Sequence, residues 1–451
     1  MASDTEPDDE RQATFREVIG NGEFRALSAA VTLSWIGDYL ARAAVAALFY
    51  QKTGSVIASA AAFAISYAPW LIGGPLLAAV ADRYPYRSVM IFCDVVRMAL
   101  MAIVAVIPGI SLPMILVLLL ASALLTPPFE AARSATLPAL LSGDRYVVGA
   151  ALHATIYQPA QIAGYFLGAA LALHQPRLAL LINAVTFAVS ALLLRFGVRH
   201  RPTALIRENR RHLVTETADG FRLVFGTPAL RAIAVVVFGA VMFGVIPEGL
   251  AAAWAAQVAE PADRGWAQGM IMAAVPLGAI IGAATISRLV PPARRRRLIR
   301  PLAICAPLAL VPAVLDPSAV VVAALSAVCG FAMGGLLPVA NGLFVQGLPD
   351  AYRARAFGVV QTGLQLLQGG AVLVTGFLAQ HYPLWAVVGL WGVGGVCLML
   401  GASAIWPPAN VFDEATAAAR SANAATAAAN AAALADQSEL TRRGRAPAIP
   451  A

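Results

Sequence analysis

Arginine falls on one side of this chain's apolar segments, and that sidedness limits the fold more than any other feature. About a dozen apolar stretches, each of roughly twenty residues, follow one another between residues 26 and 406. Basic residues collect in alternate gaps between them: Arg83–Arg87, Arg133–Arg145, Arg195–Arg231, Arg288–Arg300 and Arg353–Arg355. The intervening gaps hold only Lys52, Arg177 and Arg264. Short loops rich in Lys and Arg stay on the cytoplasmic side of a bilayer. The pattern predicts an all-α, multi-pass membrane protein with both termini in the cytoplasm. Lipid offers no hydrogen-bond partners to an open sheet edge, so the spans are helices.

Composition excludes a soluble fold, because 59% of residues are hydrophobic and 12% charged, against roughly 25% charged in soluble domains. The net charge of +8 raises the question of nucleic acid. These arginines flank membrane segments instead of sharing one folded face, so attraction to anionic headgroups accounts for them. The partners expected are the lipid bilayer and a small-molecule substrate, with no nucleic acid, and the chain is expected to act as a monomer. Cys93, Cys305, Cys329 and Cys397 lie scattered in apolar stretches without a CxxC pair, which indicates neither a disulfide framework nor a metal site. An Ala- and Arg-rich chain with a single lysine, Lys52, fits a GC-rich bacterial genome and hence the bacterial inner membrane.

The spans predict twelve transmembrane helices in two six-helix bundles. A cytoplasmic segment at 1–25 precedes a first bundle at 26–196, a cytoplasmic linker at 197–228 and a second bundle at 229–406. The linker carries TETADGFRLVFGTPALR, which has the pattern of an amphipathic surface helix. The tail at 407–451 is rich in Ala, Asn, Ser and Arg without an apolar stripe, and it is expected to be disordered. The outer gaps (PGIS, HQPR, LDPS, HYPL) are so short that neighbouring helices form antiparallel hairpins. A shift of 205 residues carries Gly73, Asp82 and Arg83 onto Gly278, Ser287 and Arg288. This weak repeat fits parallel, pseudo-symmetric halves.

A charge in mid-bilayer is costly and marks function by default. Asp38 and Arg42 stand four apart in the first span, with Trp35 and Tyr39 on the same face (W-x-x-D-Y-x-x-R), so the two charges are expected to pair and face a central cavity. Asp38 is the leading proton-accepting group. Glu248, between Pro247 and Gly249, is a second candidate for proton relay or cation binding at a kinked helix. Asp94 and Arg97, one turn apart, read as a structural pair beside the 82–87 turn. His153, Tyr157, Gln161 and Tyr165 recur every four residues with Gln158 beside them, and Gln361, Gln365 and Gln368 recur similarly. Such stripes line a wet cavity or join helices to one another. His153, toward the cytoplasmic mouth, is expected to be a bystander.

The turn GGPLLAAVADRYPYR at 73–87 resembles the motif G-x-x-x-D-R-x-G-R-R between spans 2 and 3 of the major facilitator superfamily. Asp82, Arg83 and Arg87 match it, while Ala78, Pro85 and Tyr86 depart from it. ARSATLP (132–138), NAVTF (183–187) and PEGLA (247–251) resemble the exporter branch that includes enterobactin exporters and macrolide-efflux proteins. The resemblance implies the major facilitator fold and makes Asp82, Arg83 and Arg87 part of a cytoplasmic latch that Asp94 and Arg97 support. The span 4 arginine motif and the span 5 Gly-Pro motif of many proton antiporters are missing, although Gly164 and Gly168 hint at the latter. The function implied is secondary-active export of small amphipathic compounds, drugs or siderophore-like metabolites, by alternating access with proton antiport. A lipid or lysolipid flippase, or an uptake carrier of the same fold, is the alternative. No cofactor is expected beyond a proton gradient. An enzyme is not expected, because His153, His174, His200, His212 and His381 fall on different elements, and no phosphate-binding G-x-x-x-x-G-K-[ST] loop occurs.

Overall fold

The computed structural model describes residues 13–70, 84–173, 175–201 and 213–443, and all regular structure among them is helical. A short helix α1 (Phe15–Gly20) precedes α2 (Gly22–Thr53) and α3 (Val56–Ala64, continued by a 3-10 turn at Ile65–Tyr67). The first bundle is completed by α4 (Tyr86–Val106), α5 (Leu112–Leu140), α6 (Asp144–Ala172) and α7 (Pro176–Gly197). The amphipathic linker segment forms α8 (Leu213–Gly226). The second bundle comprises α9 (Pro228–Val258), α10 (Arg264–Leu289), α11 (Arg296–Leu315), α12 (Ala319–Gln346), α13 (Arg353–His381) and α14 (Leu384–Ala404). A final helix, α15, runs Ala409–Arg443.

Nine of the described helices are long and apolar enough to cross a membrane, and Val56–Trp70 is a shorter apolar helix. The two bundle helices outside both sets, α2 and α6, carry charged or polar residues along their cavity faces. Six helices on each side of the linker match the expectation from the sequence. Local chemistry sets the turns. Asn21 caps α2 by accepting hydrogen bonds from the Glu23 and Phe24 amides, and Gly54 ends it in the left-handed region at φ 63°. Ser55 then caps α3.

Small residues let the helices that frame the centre approach closely. Gly164 and Gly168 of α6 lie against the Ile36 and Leu40 backbone of α2, where a Cβ on Gly164 would come within 2.6 Å of the Ile36 carbonyl oxygen. The sequence hint at Gly164 and Gly168 thus resolves into a helix crossing. In the second half, Gly278 and Gly282 of α10 meet α12 backbone, and Gly330 and Gly334 of α12 meet α10 backbone. The halves touch through α6 against α10 and α3 against α13. These pair the fifth membrane helix with the eighth and the second with the eleventh, contacts that exchange under a six-helix shift, as two parallel repeats require.

The tail departs from expectation. In place of disorder, the described part of the tail forms a helix over Ala409–Arg443 whose first turns dock on the second bundle, and 444–451 lie outside the described residues. Phe412 and Ala419 are buried, Trp406 stacks on Phe412, and Arg296 lies over the Phe412 ring while pairing with Asp413 at 3.2 Å. The Asp350 amide also donates to Asn423 Oδ1 at 2.8 Å. Alanine has the highest helix propensity, and Phe412, Ala415 and Ala419 supply the short apolar stripe that composition conceals.

Gly168→Leu is expected to drive α2 from α6 and cost more than the about 1–3 kcal/mol of ordinary overpacking, because the obstacle is backbone. Thermal unfolding of purified protein in detergent checks this. Gly370→Leu, where the added Cβ meets open space, is the control that keeps its melting temperature.

Candidate functional site

The two halves enclose a cavity of about 860 Å³. Trp35, Asp38, Tyr39 and Arg42 of α2 line it, as their i, i+3, i+4, i+7 spacing predicts. Tyr157, Gln158 and Gln161 of α6 line it too, with Gln361, Gln365 and Gln368 of α13 opposite and Glu248 of α9. Tyr165 does not line it. That residue is wholly buried between helices, with its ring against Tyr39. The Tyr39 and Tyr157 hydroxyls bond to each other, and Trp35 meets Tyr157 edge-on at 5.0 Å.

The ion pairs differ from those the spacing suggests. Asp38 does not pair with Arg42. Arg97 Nη2 of α4 donates to both Asp38 carboxylate oxygens at 2.6 Å, and its guanidinium lies over the Phe187 ring at 4.2 Å. Arg97 is 3% exposed, so its charge needs a partner more than that of Arg42, which reaches the open cavity. Nor does Asp94 pair with Arg97. It is fully buried and accepts from Ser190 Oγ of α7 at 2.6 Å. Both local pairs expected from helix spacing give way to bonds between helices.

Arg42 is held by aromatic rings. Its guanidinium lies 5.0 Å from the Tyr39 ring centroid and 5.5 Å from those of Phe63 and Tyr67. Among the described residues no carboxylate pairs with it. Glu248 begins the second segment of α9, just after a break at Val245 that Pro247 helps to impose. The sequence allows an exposed charge at the outer mouth, but Glu248 is 7% exposed. Its Oε2 accepts from the Tyr165 hydroxyl at 2.8 Å and from Gln161 Nε2 at 3.4 Å, both on the opposite half.

A second polar cluster is not foreseen by the span pattern. Hydropathy and charge put Glu130 and Arg133 at the end of a span and in a basic loop, but α5 continues through both. Glu130 Oε2 accepts from Arg133 Nε at 2.7 Å, and its Oε1 accepts from Trp35 Nε1 at 3.2 Å. Arg133 also donates to His153 Nδ1 at 3.1 Å, and His153 Nε2 lies 2.9 Å from Ser28 Oγ. Arginine only donates, so His153 accepts at Nδ1, carries its proton on Nε2 and is neutral here. His153 is a link in this network and not a bystander. The signal in the sequence is the i, i+3 pair in FEAAR on an otherwise apolar helix.

Among the described residues, the ties between the halves gather at one end of the cavity. Hydrogen bonds that join the halves among the described residues run from mid-depth toward the end away from the termini: Tyr165 and Gln161 to Glu248, Gln268 Nε2 to the Ala43 carbonyl at 2.9 Å, and Ser55 Oγ to Gln380 at 3.0 Å. Toward the termini the lining continues through Glu130, Arg133, Tyr146 and His153 of the first half. Of the latch expected at the 82–87 turn, Arg87 donates to the Leu194 and Arg195 carbonyls of α7 inside its own half. Asp82 and Arg83 lie outside the described residues. Among those described, no cluster of three or more His, Cys, Asp or Glu is placed to hold a metal ion.

Asp38→Asn is expected to strand the buried Arg97 charge and cost about 3–5 kcal/mol. The double variant Asp38→Leu/Arg97→Met is expected to recover most of that loss, read as melting temperature in one detergent.

A search of curated proteins gave no match. Solved structures share the fold at low identity. The nucleoside transporter NupG is 17% identical, with 85% of this chain and 99% of that chain covered and a TM-score of 0.64. A bacterial homolog of the human lysosomal transporter Spinster, in an inward-facing and occupied conformation, is 13% identical over 88% of this chain and 97% of that one, with a TM-score of 0.66. A POT family transporter in complex with 5-aminolevulinic acid is 13% identical over 85% and 96%, with a TM-score of 0.65. The family model described as Major Facilitator Superfamily matches residues 27–371. With twelve helices in two related bundles around one cavity, this chain belongs to the major facilitator superfamily of membrane transporters.

Proposed function

We propose that this protein exports small amphipathic compounds from the bacterial cytoplasm across the inner membrane in exchange for protons. The observation that carries the reading is the Glu248 tie across the halves: among the described residues such ties lie at the end of the cavity away from the arginine-rich loops, and we take the other end as the open one. Those loops take the cytoplasmic side by the positive-inside rule, so the cavity faces the cytoplasm. Its about 860 Å³ suits a drug-sized molecule, and its aromatic and glutamine walls suit an apolar body with polar groups. The amphipathic compounds of the enterobactin and macrolide exporter branch fit the same walls.

Glu248 supplies a coupling device. With the outer end closed, Tyr165 and Gln161 donate to the carboxylate, and hydrogen bonds to a charged acceptor are stronger than to its neutral form. Rocking the halves the other way withdraws both donors and opens Glu248 to the outer solution. The carboxylate then takes a proton outside and releases it inside, which runs protons down their gradient. Asp38, with both oxygens on Arg97, is better suited to holding α2 and α4 together than to exchanging protons.

Cells expressing the wild type are expected to accumulate less ethidium than cells with empty vector, and a protonophore is expected to abolish the difference. Glu248→Gln is expected to lose this uphill export while keeping substrate–substrate counterflow in proteoliposomes. Raised accumulation with the wild type would reverse the assigned direction, and retained uphill export by Glu248→Gln would remove Glu248 from coupling.

A further inference from the structure

Six charged side chains line the cavity: Asp38, Arg42, Arg97, Glu130, Arg133 and Glu248. Four neutralise one another within the first half, Asp38 with Arg97 and Glu130 with Arg133. Two stay outside any ion pair among the described residues, close enough to feel each other's charge without touching. Arg42 has its guanidinium set among the rings of Tyr39, Phe63 and Tyr67. Rings satisfy the face of a guanidinium but accept nothing from its in-plane N–H groups. None of those nitrogens is among the buried atoms lacking a partner, so they are open to the cavity. Glu248 takes both its hydrogen bonds on Oε2, and Oε1 is likewise absent from the buried, unpartnered atoms. Arg42 belongs to one half and Glu248 to the other. They face one space and do not pair with each other.

We infer that the cavity recognises amphoteric compounds, an apolar body carrying both an acidic and an amine group, with the acid on Arg42 and the amine on Glu248. This deepens the export reading, because it takes the cavity to be the substrate site. Charge balance favours it over the simpler alternatives. With Glu248 ionised the empty cavity lining is neutral: three arginines face three carboxylates. A zwitterion leaves that balance intact and gives each free charge an opposite. A plain anion would leave Glu248 uncompensated, and a plain cation would leave Arg42 so. Protonation of Glu248 turns the lining net positive and removes the negative charge that would face the ammonium. Proton and substrate then exclude each other, which is the condition an antiporter needs.

Three compounds with one body separate the charges: 3-(2-naphthyl)alanine as the zwitterion, its methyl ester as the cation and its N-acetyl derivative as the anion. Binding of each to the purified full chain in nanodiscs is measured by calorimetry. The zwitterion is expected to bind about 10- to 100-fold tighter than either relative, because it makes one more charged hydrogen bond than each of them. Arg42→Gln is expected to bring the zwitterion down to the level of the ester, and Glu248→Gln to the level of the N-acetyl compound. Each readout is a ratio within one variant, so a loss of folded protein does not imitate it, and ligand-free melting temperatures identify variants that fail to fold. Arg42→Lys and Glu248→Asp, which keep the charges, are expected to keep the preference. Equal binding of all three compounds, a preference for the ester or the N-acetyl compound, or an unchanged ratio in Arg42→Gln would overturn the inference. The export reading fails separately, if the zwitterion binds selectively but the wild type moves no substrate in counterflow.

Discussion

A guanidinium buried in the middle of a membrane protein needs an opposite charge within reach, and the pair of Arg97 with Asp38 meets that need here. Both carboxylate oxygens are engaged at 2.6 Å, and Phe187 covers the face of the cation. Breaking such a pair costs far more than its formation contributes, because the survivor is left as a bare buried charge. The pair therefore fixes α4 against α2 and sets the depth at which the rest of the α2 face meets the cavity. Its consequence is one turn further along. With Asp38 committed, Arg42 has only rings for company, and the polar character of the cavity follows from that surplus.

The architecture is legible in the sequence because its determinants are one-dimensional. Span length, loop charge and loop brevity each follow from the bilayer, and they predict two six-helix bundles. The cavity face of α2 is legible too, since helical spacing alone puts Trp35, Asp38, Tyr39 and Arg42 together. The ion pairs are not. Spacing of three or four residues suggests Asp38–Arg42 and Asp94–Arg97, but it says nothing of Arg97, 59 residues from Asp38 on another helix, as a more deeply buried cation. Exchange of partners between α2, α4 and α7 is a property of packing. Glu130 and Arg133 are hidden differently. A rule that reads arginine as loop ends the span too early, when α5 carries both residues as a self-neutralised pair. In α15 composition misleads, because alanine-rich sequence suits a helix as readily as a disordered tail, and one phenylalanine decides where it docks.

The contacts between the halves explain why a two-state machine fits this fold. Interfaces built from glycine, alanine and a few hydrogen bonds hold two rigid bundles without interlocking them. Gly265 and Gly269 of α10 lie against Ala169 and Phe166 of α6 at the closed end, and Gly376 of α13 lies against Ala60 of α3. Inside each half the backbone contact is more extensive: Gly164 and Gly168 meet α2 backbone and Gly278, Gly282, Gly330 and Gly334 join α10 to α12, against Gly265 on the Ala169 carbonyl between the halves. The proposed rocking would part the less extensive set and keep the more extensive one. The polar ties follow the same division. Asp38–Arg97 and Glu130–Arg133 lie within one half and would be kept in the proposed rocking, whereas Glu248 is bonded across the divide.

That placement makes Glu248 different in kind from every other charge in the cavity. A carboxylate whose donors share its own rigid body keeps those donors in both states, so its hydrogen bonds do not tie its proton affinity to the proposed motion. A carboxylate whose donors sit on the opposite body loses them when the bodies part, and linkage then requires the proton and the conformation to bias each other equally. Coupling of this sort needs no special residue type, only a bond that crosses the moving boundary. Asp38 is the most conspicuous charge in the sequence, but it lacks that property. Glu248 has it because Tyr165, a residue whose spacing points to the cavity wall, is instead buried between helices with its hydroxyl turned toward the other half.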